Sequence, residues 1–258
     1  MQWCSQWWAV AGRVVSGLLR NPRLLLFWTL FPALMLLLFG MIYAGGRSAA
    51  TSFDSTAPGI LVGAALFFSM LSGPLALLVA EREQGTLRRL LLSPLAPSAY
   101  FAGVATAFLL VALWQTLLVY GIAYAFGGRF HGAPLLGLAV VLLSALAYIG
   151  IGFFFGAVLA KRSEEVNGPV SAIGVPLLVL GGTFFPVKLL PPALLAITHM
   201  NPVFHMNTAL REVSANGAGF SDIQSSFAFL LVTCVGAMLL GARAYTGLLQ
   251  RERAGGVL

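Results

Sequence analysis

Charge is scarce in this chain. Asp, Glu, Lys and Arg make up 9% of its 258 residues and hydrophobic types 59%, where soluble domains hold roughly 25% charged and 45–50% apolar residues. The apolar residues also fall into long blocks and do not alternate with polar ones, which excludes an ordinary water-soluble domain. Lysine is limited to Lys161 and Lys188, which follow Ala160 and Val187. A glycine-rich phosphate loop ending in Gly-Lys-Ser or Gly-Lys-Thr therefore cannot occur, and any nucleotide hydrolysis tied to this chain belongs to another one. Cys4 and Cys234 stand near opposite ends, too few and too far apart in sequence to suggest a disulfide framework or a metal-ligand spacing. Long repeats and low-complexity tails are missing, and the loops are too short to carry a soluble domain.

What is present is a set of membrane-length apolar blocks. A helix rising 1.5 Å per residue needs about 20 residues to cross a hydrocarbon core of about 30 Å. Blocks of that kind lie at about 24–44, 58–80, 99–126, 133–160, 169–185 and 226–242. The expectation is an all-α membrane protein, a single domain over 1–258 with six spans. The net charge of +7 sits in short clusters between the blocks and makes no basic face, which argues against a nucleic-acid partner and for anchoring to membrane lipids. Eleven of the 15 Lys and Arg residues fall on one side of the spans and four on the other. The richer side is cytoplasmic by the positive-inside rule, so both termini are expected inside a multi-pass protein of the plasma (inner) membrane.

Residues 1–23 are too polar to span. Trp3, Trp7, Val10, Ala11, Val14 and Leu18 recur at helical spacing, which predicts an amphipathic helix lying in the cytoplasmic interface. The apolar run after Arg23 exceeds the 7–15 residues of a signal-peptide core, which argues against cleavage. After the fifth block, Pro186, Pro191 and Pro192 stop any continuous helix, and 186–202 is too short to cross. A re-entrant or interfacial hairpin on the outer side is expected there. A seventh span at this point would move Arg243, Arg251 and Arg253 outside, against the charge rule.

None of the six blocks contains Asp, Glu, Lys, Arg or His. Ion-coupled carriers and intramembrane enzymes usually need ionisable groups at depth. Uncharged sodium sites escape that test, so a stand-alone secondary transporter or channel stays open. Phe67, Phe68, Ser69, Ser72, Gln115, Thr116, Phe153, Phe154, Phe155, Thr183 and Phe184 are the aromatic or uncharged polar candidates for a pathway. Such a lining suits an apolar or amphipathic cargo better than a simple ion. His199 and His205 stand six apart around Pro202, which is no standard metal spacing, and no metal is expected.

The segment Glu81-Arg82-Glu83-Gln84-Gly85-Thr86-Leu87-Arg88-Arg89-Leu90-Leu91-Leu92-Ser93-Pro94 is the most informative on the cytoplasmic side. Thr86 can cap a short helix whose Leu87, Leu90 and Leu91 share a face while Arg88 and Arg89 point away. Such a helix suits a partner's groove, or rests on lipid. Glu81 and Glu83, with arginines around them, read as salt-bridge and docking residues and not as an acid–base pair.

This run resembles the segment after the second span in the membrane subunits of ABC type-2 exporters. Gly182-Thr183-Phe184-Phe185-Pro186, Leu190-Pro191, Asn201-Pro202 and Ala209-Leu210-Arg211 resemble that family's pattern around the fifth span. The likeness covers nearly the whole chain. It implies a permease half-transporter that pairs with a second copy, as a homodimer or with a close relative, and docks two ATP-binding cassette subunits. Residues 81–97 would carry a coupling helix, with Lys161-Arg162-Ser163-Glu164-Glu165 a lesser contact. ATP and Mg would sit on the partner, and this chain would carry no cofactor and no catalytic residue. The cargo implied is a drug, a lipid or a lipid-linked molecule. Lipid-linked glycan export is the rival within the family, and a scaffold that merely anchors an ATPase is a third class.

Overall fold

The computed structural model describes residues 2–46, 48–158, 162, 167–184, 187 and 190–254. Every regular element among them is a helix: α1 (Gln2–Leu19), α2 (Pro22–Ala44), α3 (Ala49–Gly59), a π-helical segment (Ile60–Leu71) running into α4 (Ser72–Glu83), α5 (Thr86–Leu92), α6 (Pro97–Ala125), α7 (Pro134–Val158), α8 (Asn167–Leu180), α9 (Pro192–Thr198), α10 (Pro202–Ser214) and α11 (Phe220–Ala254). Five stretches are long and apolar enough to cross a membrane: Pro22–Ala44, Ala49–Glu83, Pro97–Ala125, Pro134–Val158 and Phe220–Glu252. The block expected at 169–185 gives α8, whose 14 residues rise about 21 Å, less than the core of about 30 Å.

Helix ends depart from the expected spans where polar residues continue a helix past its apolar part. The second span begins at Ala49 and not near Pro58, because Ser48 accepts a hydrogen bond from the Thr51 amide and caps the helix. The last helix reaches from Phe220 to Ala254 and so includes Arg243 and Arg251. Asn21 caps α2 by accepting from the Leu24 amide, and Pro22 occupies the first helical position, which makes the turn from α1 short.

Residues expected to form an interfacial helix do form one helix, α1, but its apolar face does not lie open. Val10, Ala11 and Val14 are buried, and a Cβ on Gly103 of α6 would meet Val10 at 2.7 Å. The Trp3 indole donates to Ser98 Oγ (3.0 Å) and the Trp7 indole to Thr106 Oγ1 (2.9 Å). Much of the stripe that reads as lipid-facing therefore packs on the first half of α6.

The core runs through the π-helical segment, all of which is buried except Phe68 and which is surrounded by α2, α6 and α7. On its other side α7 packs along α11. A Cβ added to Gly150 would lie 2.5 Å from the Ala237 backbone, and one on Gly241 would lie 2.4 Å from the Gly150 carbonyl. Ala237 and Gly241 are a small-xxx-small pair, the spacing that lets two helix backbones touch where no hydrophobic effect drives them together. The start of α1 and the end of α11 both reach the N-terminal turns of α6, through Trp3 to Ser98 and Tyr245 to Tyr100. The start of α1 and the last turns of α11 thus lie at one end of the bundle.

Candidate functional site

At that end four helices meet on one carboxylate. Glu81, in the last turn of α4, is 5% exposed. Its Oε1 lies 2.6 Å from the Arg13 guanidinium of α1, and its Oε2 accepts from the Tyr100 hydroxyl of α6. Tyr245 of α11 stacks on the Tyr100 ring at 5.0 Å, and Arg13 lies over that ring, 5.9 Å from its centroid. The next residue, Arg82, bonds Glu252 of α11 at 2.9 Å. A buried carboxylate is costly unless paired and hydrogen-bonded, and here a cation and a phenol meet that need.

The chain leaves this knot through Gly85, whose φ of 65° is left-handed, a conformation that costs a residue with a Cβ about 1–2 kcal/mol. Gly85 is the N-cap of α5 and no side chain caps the helix. Thr86 is its first residue and not its cap, because the reversal is made by glycine one position earlier. Leu87 is 1% exposed, and Leu87, Leu90, Pro97, Tyr100, Tyr245 and Leu249 line one small cleft. Leu87 and Leu90, expected to enter a partner, are thus turned toward α6 and α11 of the same chain. What faces outward is Glu83, Gln84 and Arg89. The side chains of Arg88 and Leu91 lie outside the described residues, as do Lys161 and Ser163-Glu164-Glu165 of the second loop.

The pathway candidates are brought together only in part. Phe67 is 2% exposed and meets Phe68 and Tyr148 edge-on. Gln115 is a bolt: its amide donates to the Trp28 carbonyl (3.0 Å) and its Oε1 accepts from Ser69 Oγ (2.7 Å), joining α6, α2 and the π-helical segment. Ser72 and Phe154 are half-buried, Phe154 beside Phe155. Thr116 returns its hydroxyl to Ala112 of its own helix, and Phe153 packs on Phe101 and Tyr245. Replacing Gln115 with Leu is expected to lower stability by about 1 kcal/mol, two interhelical bonds at about 0.6 each, which thermal unfolding in detergent measures.

At the opposite end the Gly-Thr-Phe pattern closes α8. Gly182 has φ 70°, and the last carbonyls of α8 are taken by side chains: Asn201 donates to Leu177 O (2.7 Å), and Asn207 donates to Gly181 O (2.8 Å) and Thr183 Oγ1 (3.1 Å). A helix end needs such partners when buried. Tyr43 donates to the Phe184 carbonyl (2.8 Å), and Phe184 stacks on Phe39. Phe185, Pro186 and Lys188 lie outside the described residues. Within 186–202, where a re-entrant hairpin is expected, the described residues hold α9, and the amphipathic α10 follows, burying Val203, Met206, Asn207, Leu210 and Val213. Arg211 of α10 is drawn below its ordinary pKa by burial, against the opposing pull of Glu212 and Tyr43. Both His205 ring nitrogens are used: Nε2 donates to the His199 carbonyl (2.9 Å), and Nδ1 bonds Ser226 Oγ (3.2 Å).

The knot joins the terminal helices to the segment after the second span, and residues 5–214 match the model of one family, described as ABC-2 type transporter. The chain belongs to the ABC-2 type transporter family. Within it, the daunorubicin resistance ABC transporter permease DrrB1 of Streptomyces coeruleorubidus is 27% identical over 239 residues, 90% of this chain and 81% of that one. The probable multidrug ABC transporter permease YbhR of Escherichia coli K12 is 30% identical over 153 residues, 59% of this chain. That match spans 41% of YbhR's own length. The inner membrane transport permease YadH of the same strain is 26% identical over 160 residues, 61% of this chain and 60% of that one.

Proposed function

We propose that this ABC-2 chain is the permease subunit of an ATP-driven exporter that moves a hydrophobic or amphipathic molecule out of the cytoplasm. Two copies would pair in the inner membrane above two ATP-binding subunits, which carry the ATP and Mg. The observation that supports this most is the alignment over nine-tenths of the chain with a permease named for daunorubicin resistance. Spans without Asp, Glu, Lys, Arg or His at their centres suit such a cargo and leave the energy to a partner. Both termini face the cytoplasm in this reading, α1 sits at the inner interface, α8 is a short sixth span, and α9 and α10 lie on the outer side.

Coupling runs through the loop around α5. Because Leu87 and Leu90 are committed to the chain's own cleft, the ATPase would read the outward face of Glu83, Gln84 and Arg89, with the leucines setting its angle. Nucleotide-driven closure pushes α5, and Glu81 passes that push to α1 and α6.

Arg89→Glu is expected to weaken co-purification of the ATP-binding subunit about tenfold, as reversal of a rim charge does at a charged interface, while the chain's own melting temperature holds. Leu87→Asp is expected to lower that melting temperature, since it buries a charge. If Arg89→Glu leaves co-purification intact, the outward face of α5 is not the docking surface. Cargo movement that persists without any ATPase would favour a stand-alone carrier or channel.

A further inference from the structure

A second site lies where α1, α2 and α6 diverge. Val15, Leu18, Leu25, Thr29, Val111 and Trp114 are among the residues that line a groove of about 350 Å³, within the roughly 300–1,000 Å³ typical of ligand pockets. Its lining is almost wholly apolar, with Ala107 among the wall residues and the Trp114 ring 54% exposed at its side. The groove lies near the start of α2, because Trp28 is level with Gln115 and Gly40 is close to Phe53, which stacks on Phe126. Its apolar walls therefore fall in the first two turns of α2 and around the middle of α6, both membrane-length helices.

Charge stands at one end of it. Leu18, Leu19 and Leu25 of the lining flank Arg20, in the short connection after α1, and Arg23, in the first turn of α2, both exposed. The first acidic residue of the chain is Asp54, at the opposite end of the bundle. Among the described residues neither Arg20 nor Arg23 has an ionic partner within 4 Å, whereas Arg13 is taken by Glu81. An apolar slot between membrane-length helices, with two arginines next in sequence to its lining leucines, complements a molecule with an acyl chain and an anionic phosphate head. Basic pockets between membrane helices bind such heads.

We infer that this groove is a binding site for one anionic phospholipid of the inner leaflet, its acyl chain against Leu25, Thr29, Val111 and Trp114 and its phosphate held by Arg20 and Arg23. The site goes beyond the transport reading and stands whatever the cargo is. Because α1 forms one wall, the bound lipid would also hold α1 against α6, on the side away from Glu81.

The test uses the full chain in nanodiscs with photoactivatable phosphatidylglycerol carrying a diazirine on its acyl chain, and the matching phosphatidylcholine as comparison. Cross-links are mapped by peptide mass spectrometry. The expected result is phosphatidylglycerol labelling concentrated in residues 15–29 and 107–114. The double variant Arg20→Gln/Arg23→Gln should reduce it about 25-fold, about fivefold for each arginine near an anionic lipid. Those arginines are exposed and their replacement leaves the packing intact, so the variant folds. Thr29→Trp fills the groove and should remove labelling there by either lipid. Equal labelling by both lipids, an unchanged signal in the double variant, or labels spread evenly over the exposed faces of α2 and α11 would each overturn the site. None of these results touches the docking of an ATPase, so the two readings fail separately.

Discussion

Gly150→Leu is expected to be the most damaging single substitution in the chain, lowering stability by about 3 kcal/mol, the upper end for overpacking. The side chain has nowhere to go: its Cβ alone would lie 2.5 Å from the Ala237 backbone, and backbone cannot rotate away as a side-chain tip can. The α7–α11 pair would have to separate, and α11 carries Tyr245 and Glu252 to the Glu81 knot. Thermal unfolding in detergent should show a fall of roughly 6–12 °C, at 2–4 °C per kcal/mol for a chain of this size. Gly236→Leu, on the partner helix α11 and with nothing within 4 Å of its Cβ, is the control and should melt as wild type. Equal melting of the two variants would mean that α7 and α11 do not touch at these glycines.

Glu81→Ala is expected to cost about 2 kcal/mol and to reduce transport more than it reduces the amount of folded protein. Breaking a fully buried pair costs about 3–5 kcal/mol. The lower figure is expected here because the Arg13 side chain is 40% exposed and water takes over part of its solvation. Arg13→Ala should cost more than a surface pair, since it strands a carboxylate whose own side chain is 6% exposed. In a double-mutant cycle the two changes should be strongly non-additive. Simple additivity in both stability and transport would show that Arg13 and Glu81 act independently and that the knot is no relay.

How much of this was legible in the sequence depends on the length scale of the signal. Four spans announce themselves because 20 apolar residues without charge leave few alternatives, and α2, α6 and α7 begin and end within about two residues of the apolar blocks. The start of α3 and the end of α11 were hidden because Ser52, Asp54 and Arg243 are compatible with a helix that leaves the lipid. Composition reports solvent there, not hydrogen bonding. α10 had a readable period in Val203, Met206, Leu210 and Val213, masked by the prolines before it.

The site was less legible. Glu81 was recognisable as a salt-bridge residue from the arginines beside it in sequence, but its partner is Arg13, 68 positions away, and no local pattern encodes that pairing. Tyr100 and Tyr245 gave no signal beyond being aromatic. Leu87 and Leu90 of α5 do line one cleft, yet periodicity cannot say whether a greasy face meets a partner or its own chain. Here Tyr245 and Leu249 of α11 lie against it. Gln115 was similarly ambiguous: an uncharged polar residue in a span serves a pathway or a bolt equally well until its two hydrogen bonds are seen.

The central claim is that this permease moves cargo only when an ATP-binding partner drives it. The most direct measurement is uptake of a hydrophobic fluorescent drug, such as daunorubicin, into inside-out vesicles that hold the chain with or without its ATP-binding subunit, with ATP added or withheld. Accumulation is expected only when the subunit and ATP are both present, and it should fall in Glu81→Ala vesicles matched for folded protein. Accumulation that continues without ATP, or without the subunit, would contradict the account.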